Sequence, residues 1–234
     1  MKKIQIYILI FLLCVAGVSD TFALCPVSLT KLLPHDQKTQ QDSLKRDLKE
    51  ARINTNDKTK PDFAKARESL KRAFKNPYGK DNAEVFLQAA NTEYRCFQVE
   101  RNKPATGKKM DEKVIYASTA DGFRYYCQAY QLLRHPVAGR KQIGLNMKAT
   151  QQMQSEAYDL FRSTQGFRAT AGYYYKKKDW KSAYDFFKLA QEAIDCELLT
   201  HYAANNYAVQ ADFAKFRTDS IRRRLQFSAA VTAV

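Results

Sequence analysis

Three histidines, at 35, 135 and 201, leave this chain little from which to build a metal site or a general base. None stands in an H-E-x-x-H spacing. Eight glycines are spread so that no two form a G-x-G pair, which removes the dinucleotide fingerprint. No Walker loop and no G-x-S-x-G is present either. Five cysteines include no C-x-x-C, so neither a dithiol redox motif nor a zinc knuckle is supported. Carboxylate pairs such as Asp111 and Glu112 stand beside lysines, as solvated surface charges do. These absences exclude the common catalytic constellations, so the chain is expected to be no enzyme and to need no metal or cofactor.

Alternating strand patterns are missing as well, and helical periodicity runs through the whole chain. Its most informative feature is a template that occurs twice, 117 residues apart. Asp62-Phe63-x-x-Ala66-x-x-x-Leu70-x-x-Ala73 recurs as Asp179-Trp180-x-x-Ala183-x-x-x-Phe187-x-x-Ala190. At 3.6 residues per turn the aromatic, both alanines and the large apolar residue share one helix face. Small residues at fixed positions let a second helix approach closely, and large ones fill the space between.

Periodicity predicts helices over 38–53, 61–75, 82–101 and 111–134. It then predicts one long helix from Met147 to Tyr174, or two with a break at Gly166. Further helices are expected at 180–195, 197–216 and 219–234. Val85, Phe86, Ala89, Ala90, Tyr94 and Phe97 mark the core face of 82–101, and Gly122, Tyr126 and Ala129 that of 111–134. The fold class expected is all-α, built of stacked helix pairs, and such arrays serve as binding scaffolds.

The start of the chain reads as a targeting segment. Lys2 and Lys3 precede an apolar run from Ile4 to Val18, and Thr21-Phe22-Ala23 supplies small residues for cleavage. The run is short of the roughly twenty residues that a membrane-spanning helix needs. Cleavage after Ala23 is expected, with an uncleaved anchor or lipidation at Cys25 as alternatives; Leu24 before Cys25 suits lipidation poorly. Residues 24–37 are expected to be a tether and 38–234 the repeat domain. Without Lys2, Lys3 and Asp20, 37 basic and 23 acidic side chains remain, a net charge of +14.

Four cysteines would then be left, Cys25, Cys96, Cys127 and Cys196. Disulfides are permitted in an exported chain, with three connectivities. On two antiparallel helices joined near 103–110, Cys96 and Cys127 sit about ten residues out of step. At 1.5 Å per residue that is roughly 15 Å, beyond disulfide reach. Cys96, Cys127 and Cys196 are therefore expected to be buried as small apolar groups.

The chain resembles a tetratricopeptide-repeat protein. Phe167-x-x-Thr170-Ala171-x-x-Tyr174 followed by Asp179-Trp180, Ala183, Phe187 and Ala190 is its best match, and Phe63, Ala66, Leu70 and Ala73 match in the first repeat. The resemblance implies a solenoid of about three helix-turn-helix repeats, these residues packing helix on helix, and a concave face that holds a partner. Spacing is uneven, 56 residues from Ala66 to Gly122 and 61 from Gly122 to Ala183. The run from Glu100 to Val114 is similar to that of exported bacterial members with irregular spacing, which implies a periplasmic location, secretion being the alternative.

After Asp219-Ser220, the residues Leu225, Phe227, Ala229, Ala230 and Val231 read as the first helix of a further, uncapped repeat. A chain shortened from a longer array, or self-association through this helix, would account for it. Fourteen tyrosines and fourteen phenylalanines accompany one tryptophan. Tyr173-Tyr174-Tyr175 cannot all face one way on a helix; Tyr174 holds the packing position, so Tyr173 or Tyr175 should reach a surface. With Lys176 and Lys177 they are the candidate contacts for an extended segment or helix of a protein partner. The basic runs, Lys176-Lys177-Lys178 and Arg222-Arg223-Arg224 among them, offer a second reading: binding to anionic lipid or polysaccharide of the envelope. Nucleic acid is not expected, since no reader motif accompanies the charge.

Overall fold

Helices dominate because the chain gives each one a start, a stop and an apolar stripe. The computed structural model describes residues 34–135, 147–164 and 166–231, with side chains over 36–135, 148–164 and 166–225. The expected signal segment 1–23, the tether residues 24–33 with Cys25, the loop residues Pro136 and Gly139, and the side chains of Phe227, Ala229, Ala230 and Val231 lie outside the described residues. Among the described residues every regular element is helical and there is no strand. Residues 1–39 form a unit of their own, described from 34 onward as the opening of the first helix. The second unit begins at Gln40 and contains the rest of that helix and all the others.

The helices are α1 (Pro34–Asn56), α2 (Phe63–Lys75), α3 (Ala83–Arg101), α4 (Glu112–Arg134), α5 (Met147–Ser163), α6 (Phe167–Lys176), α7 (Trp180–Asp195), α8 (Glu197–Asn205) and α9 (Tyr207–Val231), with a short 3-10 turn at Lys103–Thr106. Residues 34–37, expected in the tether, belong to α1. Capping carboxylates and amides set most of the starts. Asp62 Oδ1 accepts from Lys65 N at 3.0 Å, Asn82 Oδ1 from Glu84 N at 2.9 Å, Asp111 Oδ1 from Lys113 N at 2.9 Å and Asp179 Oδ1 from Ser182 N at 3.2 Å.

Three antiparallel hairpins organise the chain. In the first, Arg72 of α2 reaches Asp47 at 3.1 Å and Glu50 at 2.6 Å on α1, and Asn76 donates to the Gln40 carbonyl at 2.8 Å. In the second, α3 and α4 run side by side from Phe86 beside Tyr125 to Glu100, whose carboxylate takes the Asp111 N–H at 2.6 Å. Gly122 sits where α4 packs closely against both α3 and α5. A Cβ there would meet Leu160 Cδ1 at 2.9 Å and Glu93 Cβ at 3.1 Å. The third hairpin is α6–α7, where Tyr174 stacks on Phe186 with ring centroids 5.5 Å apart.

Two apolar clusters result. The smaller joins Leu44, Leu48 and Ala51 of α1 to Leu70 and Ala73 of α2 and Val85 and Ala89 of α3. The larger runs through α3 to α9 around Phe97, Phe123, Tyr126, Leu160 and Phe167, and Tyr125 packs against both. Contacts are not confined to consecutive elements. The C-terminal half of α4 meets α8, where Tyr130 lies 6.4 Å from His201.

That contact corrects the reading of the cysteines. Cys127 and Cys196 are not two buried thiols but a disulfide, with Cα atoms 6.0 Å apart. Cys196 stands at the α7–α8 junction, which the fold returns to α4. Offset on the α3–α4 hairpin bears on Cys96 and Cys127 alone; among the described residues Cys96 is a free, buried thiol.

The repeated template divides in a way its spacing does not announce. Ala66, Leu70, Ala73, Phe167, Ala171, Ala183, Phe187 and Ala190 are buried, and Tyr174 is half-buried. Phe63 is only half-buried and Trp180 is 49% exposed, so Trp180 is not a packing residue of the core. Both aromatics are the first residues of their helices, directly after the capping Asp62 and Asp179. Each therefore lies at the lip of the helix interface, past the alanines that form it.

Gly166 separates α5 from α6, at the break the periodicity allowed. Its φ of +71° and ψ of 126° suit glycine alone, and a Cβ would press on the Phe216 ring at 3.3 Å. Gly166→Ala is expected to cost about 1–3 kcal/mol in urea denaturation, from backbone strain. An unchanged midpoint would show that the turn relaxes freely. The other expected break, before Asp219-Ser220, is displaced. The chain turns at Asn206 (φ −124°, ψ 103°) and α9 runs through Asp219 and Ser220 without interruption. Val209, Phe213, Phe216 and Ser220 keep one buried stripe through that point, and continuous packing outweighs the local helix-start signal.

Candidate binding surfaces

The α6–α7 hairpin carries the side chains that the sequence marks for partner contact. Its turn is tight. Lys177 caps α6, Lys178 takes a left-handed φ of +60°, and Asp179 opens α7 at once. Tyr173 is 52% exposed, with Lys177 Nζ 4.3 Å from its ring centroid, a cation–π contact. Tyr175 is half-buried, its ring 5.2 Å from that of Trp180. Residues 173 and 175 stand about 200° apart around a helix, so the two couples lie on different sides of α6. Lys176 is exposed between them.

On the Tyr173 side an aromatic file continues inward. Tyr173 meets Tyr174 edge-on at 5.3 Å, Tyr174 stacks on Phe186, and Phe186 meets Tyr116 of α4 edge-on at 5.6 Å. Burial, with the charge of Glu112 adding to it, raises the Tyr116 hydroxyl above the usual tyrosine range. Along the other side, Tyr184 is 55% exposed one turn beyond Trp180. Lys178, Lys181 and Lys188 are exposed on the same hairpin. Sequence reasoning missed Trp180 and Tyr184 as surface residues. Trp180 lies on the stripe of Ala183, Phe187 and Ala190 and is exposed because it begins the helix, whereas Tyr184, off that stripe, is found by its spacing alone.

A second concavity, of about 400 Å³, lies among α2, α3 and α4. Phe74 and Tyr125 stack across it with centroids 5.7 Å apart, and Lys71 and Lys75 line its rim. At its floor Arg67 donates to both carboxylate oxygens of Glu93, at 2.7 and 2.6 Å, and further to Ser118 Oγ at 3.3 Å. The hydrogen bond to Glu93 draws the Arg67 pKa upward. Asp121, also lining the hollow, has its carboxyl raised by burial first and by the Glu93 charge second.

For catalysis or metal binding the arrangement offers little. His135 and His201 approach one another only through Glu197, at 3.8 and 3.5 Å. Among the described residues no group of three or more His, Cys, Asp or Glu could hold a metal ion. No helix among them is long and apolar enough to cross a membrane. Compared with known protein families, with curated proteins and with solved structures, the chain matches none.

Proposed function

We propose that this chain is a non-enzymatic binding scaffold whose α6–α7 hairpin holds an acidic segment of a partner protein. One observation carries the reading. Tyr173 on one side of α6, and Trp180 and Tyr184 on the other, each about half exposed, stand among Lys176, Lys177, Lys178, Lys181 and Lys188 on a single hairpin. Large exposed rings are the side chains that supply most interface energy, and surrounding lysines select for negative charge. Three antiparallel hairpins with small residues at their contacts support a tetratricopeptide-like solenoid as the frame. A cell-envelope setting is supported by the amino-terminal targeting pattern and by the Cys127–Cys196 bond, since disulfides persist in oxidising compartments.

The charge itself supports a second reading, a cationic protein held at anionic lipid or polysaccharide. Salt separates the two. Residues 24–234, immobilised and exposed to envelope extract, are expected to retain one protein that high salt weakens but does not release, because lysine contacts are screened and ring contacts are not. Tyr173→Ala/Trp180→Ala is expected to weaken that retention at least about tenfold. A mixed anionic set that elutes with salt would replace the scaffold reading with the cationic one.

A further inference from the structure

A hollow of about 730 Å³ between α4, α5 and α8 differs in chemistry from the α6–α7 hairpin and from the concavity at Arg67. In a chain with 39 basic and 24 acidic residues, no Lys, Arg, Asp or Glu lines it among the described residues. The lining groups are amides, hydroxyls and rings: Gln154 and Ser155 of α5, Tyr130 of α4, and Tyr202, Asn205 and Asn206 at the end of α8. The size falls within the roughly 300–1,000 Å³ of small-molecule sites.

Gln154 is the informative member. It occupies a core position of α5, between Met153 and the next buried turn at Ala157 and Tyr158, and only 8% of it is exposed. A packing role alone calls for an apolar side chain there. Its side chain borders the hollow. An amide on the wall of a hollow pairs with water, or with a ligand group that takes the water's place. His201 lines the hollow as well. Arg134 Nη1 lies 2.7 Å from His201 Nε2.

We propose that this hollow binds a neutral saccharide. Sugar hydroxyls donate and accept at once, as the Gln and Asn amides and the Ser and Tyr hydroxyls do. The rings of Tyr130 and Tyr202 supply apolar bodies against which the C–H face of a pyranose packs. An anionic ligand would meet no cation among the described lining residues, while lysines abound on the α6–α7 hairpin. The site is separate from that hairpin, and its test does not depend on the partner proposed there.

Titration calorimetry of the full chain against cellobiose, maltose and N,N′-diacetylchitobiose, with 3′-sialyllactose as an anionic comparison, tests it. Saturable binding of at least one neutral disaccharide is expected, with Kd on the order of 1 mM or tighter. It should be unchanged at about 0.5 M salt. Gln154→Leu should weaken binding at least about tenfold without lowering the melting temperature, since the position favours an apolar side chain. Asn205→Ala, on an exposed amide outside the core, should weaken it while leaving folding untouched. Absence of saturation by every neutral sugar overturns the proposal. So does binding that survives both substitutions, or a preference for sialyllactose that salt abolishes.

Discussion

Reducing the Cys127–Cys196 bond should lower the stability of the fold by about 4 kcal/mol, the chain-entropy expectation for a closed loop of this length. The two cysteines are 69 residues apart in sequence, and the loop they close contains α5, α6 and α7. Without the bond, the unfolded chain regains the freedom of that whole segment. The native contacts it leaves behind are modest at that point: Tyr130 against His201, and Arg134 with Glu197 on the half-exposed rim. For about 200 folded residues, each kcal/mol moves the melting temperature by about 2–4 °C, so a fall on the order of 10 °C is expected. Thermal unfolding followed by circular dichroism, with and without reductant, measures it. Cys127→Ser/Cys196→Ser should reproduce the reduced protein. Cys96→Ser, which touches only the buried free thiol, should still respond to reductant. Oxidised and reduced forms melting within a degree or two of one another would show that the α4–α8 contact holds by side-chain packing alone.

This bond also marks where the sequence stopped being readable. Helix content was legible because it is local: apolar stripes at helical spacing and Gly166 as a break are each set within a few residues. The twice-used template was half legible. Its alanines and Leu70 or Phe187 are buried as their spacing implies, whereas its acidic and aromatic positions are a cap and a helix start. Those two roles give the same sequence pattern, and only the position of the helix end separates them. Pairings across long separations were not legible. Whether Cys196 finds Cys127 depends on α8 turning back to α4, which no local spacing encodes. The neutral hollow is likewise assembled from α4, α5 and α8, and Gln154 in isolation reads as one more polar residue on a helix. Tyr173 was found because three adjacent tyrosines cannot share a face. Trp180 was missed because its template position was taken to fix its burial, and Tyr184 because it falls between template positions and was given no role.

The largest single-residue effect is expected at Arg67. Its guanidinium grips Glu93 through two hydrogen bonds, and the Glu93 side chain is only 6% exposed while that of Arg67 is 44% exposed. The pair is therefore unequal. Arg67→Met leaves a carboxylate inside the α2–α4 floor with no cation against it, a loss of about 3–5 kcal/mol. Glu93→Leu removes the buried charge instead, and the arginine, half in water already, can swing its head outward along its own stem. That substitution should cost no more than about 1–2 kcal/mol, the value of hydrogen bonds lost without a stranded ion. Combining the two should restore most of the stability, since the floor then holds apolar groups on both sides. Urea unfolding of the four proteins gives the cycle directly. Equal costs for the two single substitutions would mean that water reaches Glu93 and that the pair is an ordinary surface contact. The expected inequality would instead make this ion pair the clasp between the first two hairpins, holding α2 against α3 and α4 beneath the hollow that Phe74 and Tyr125 frame.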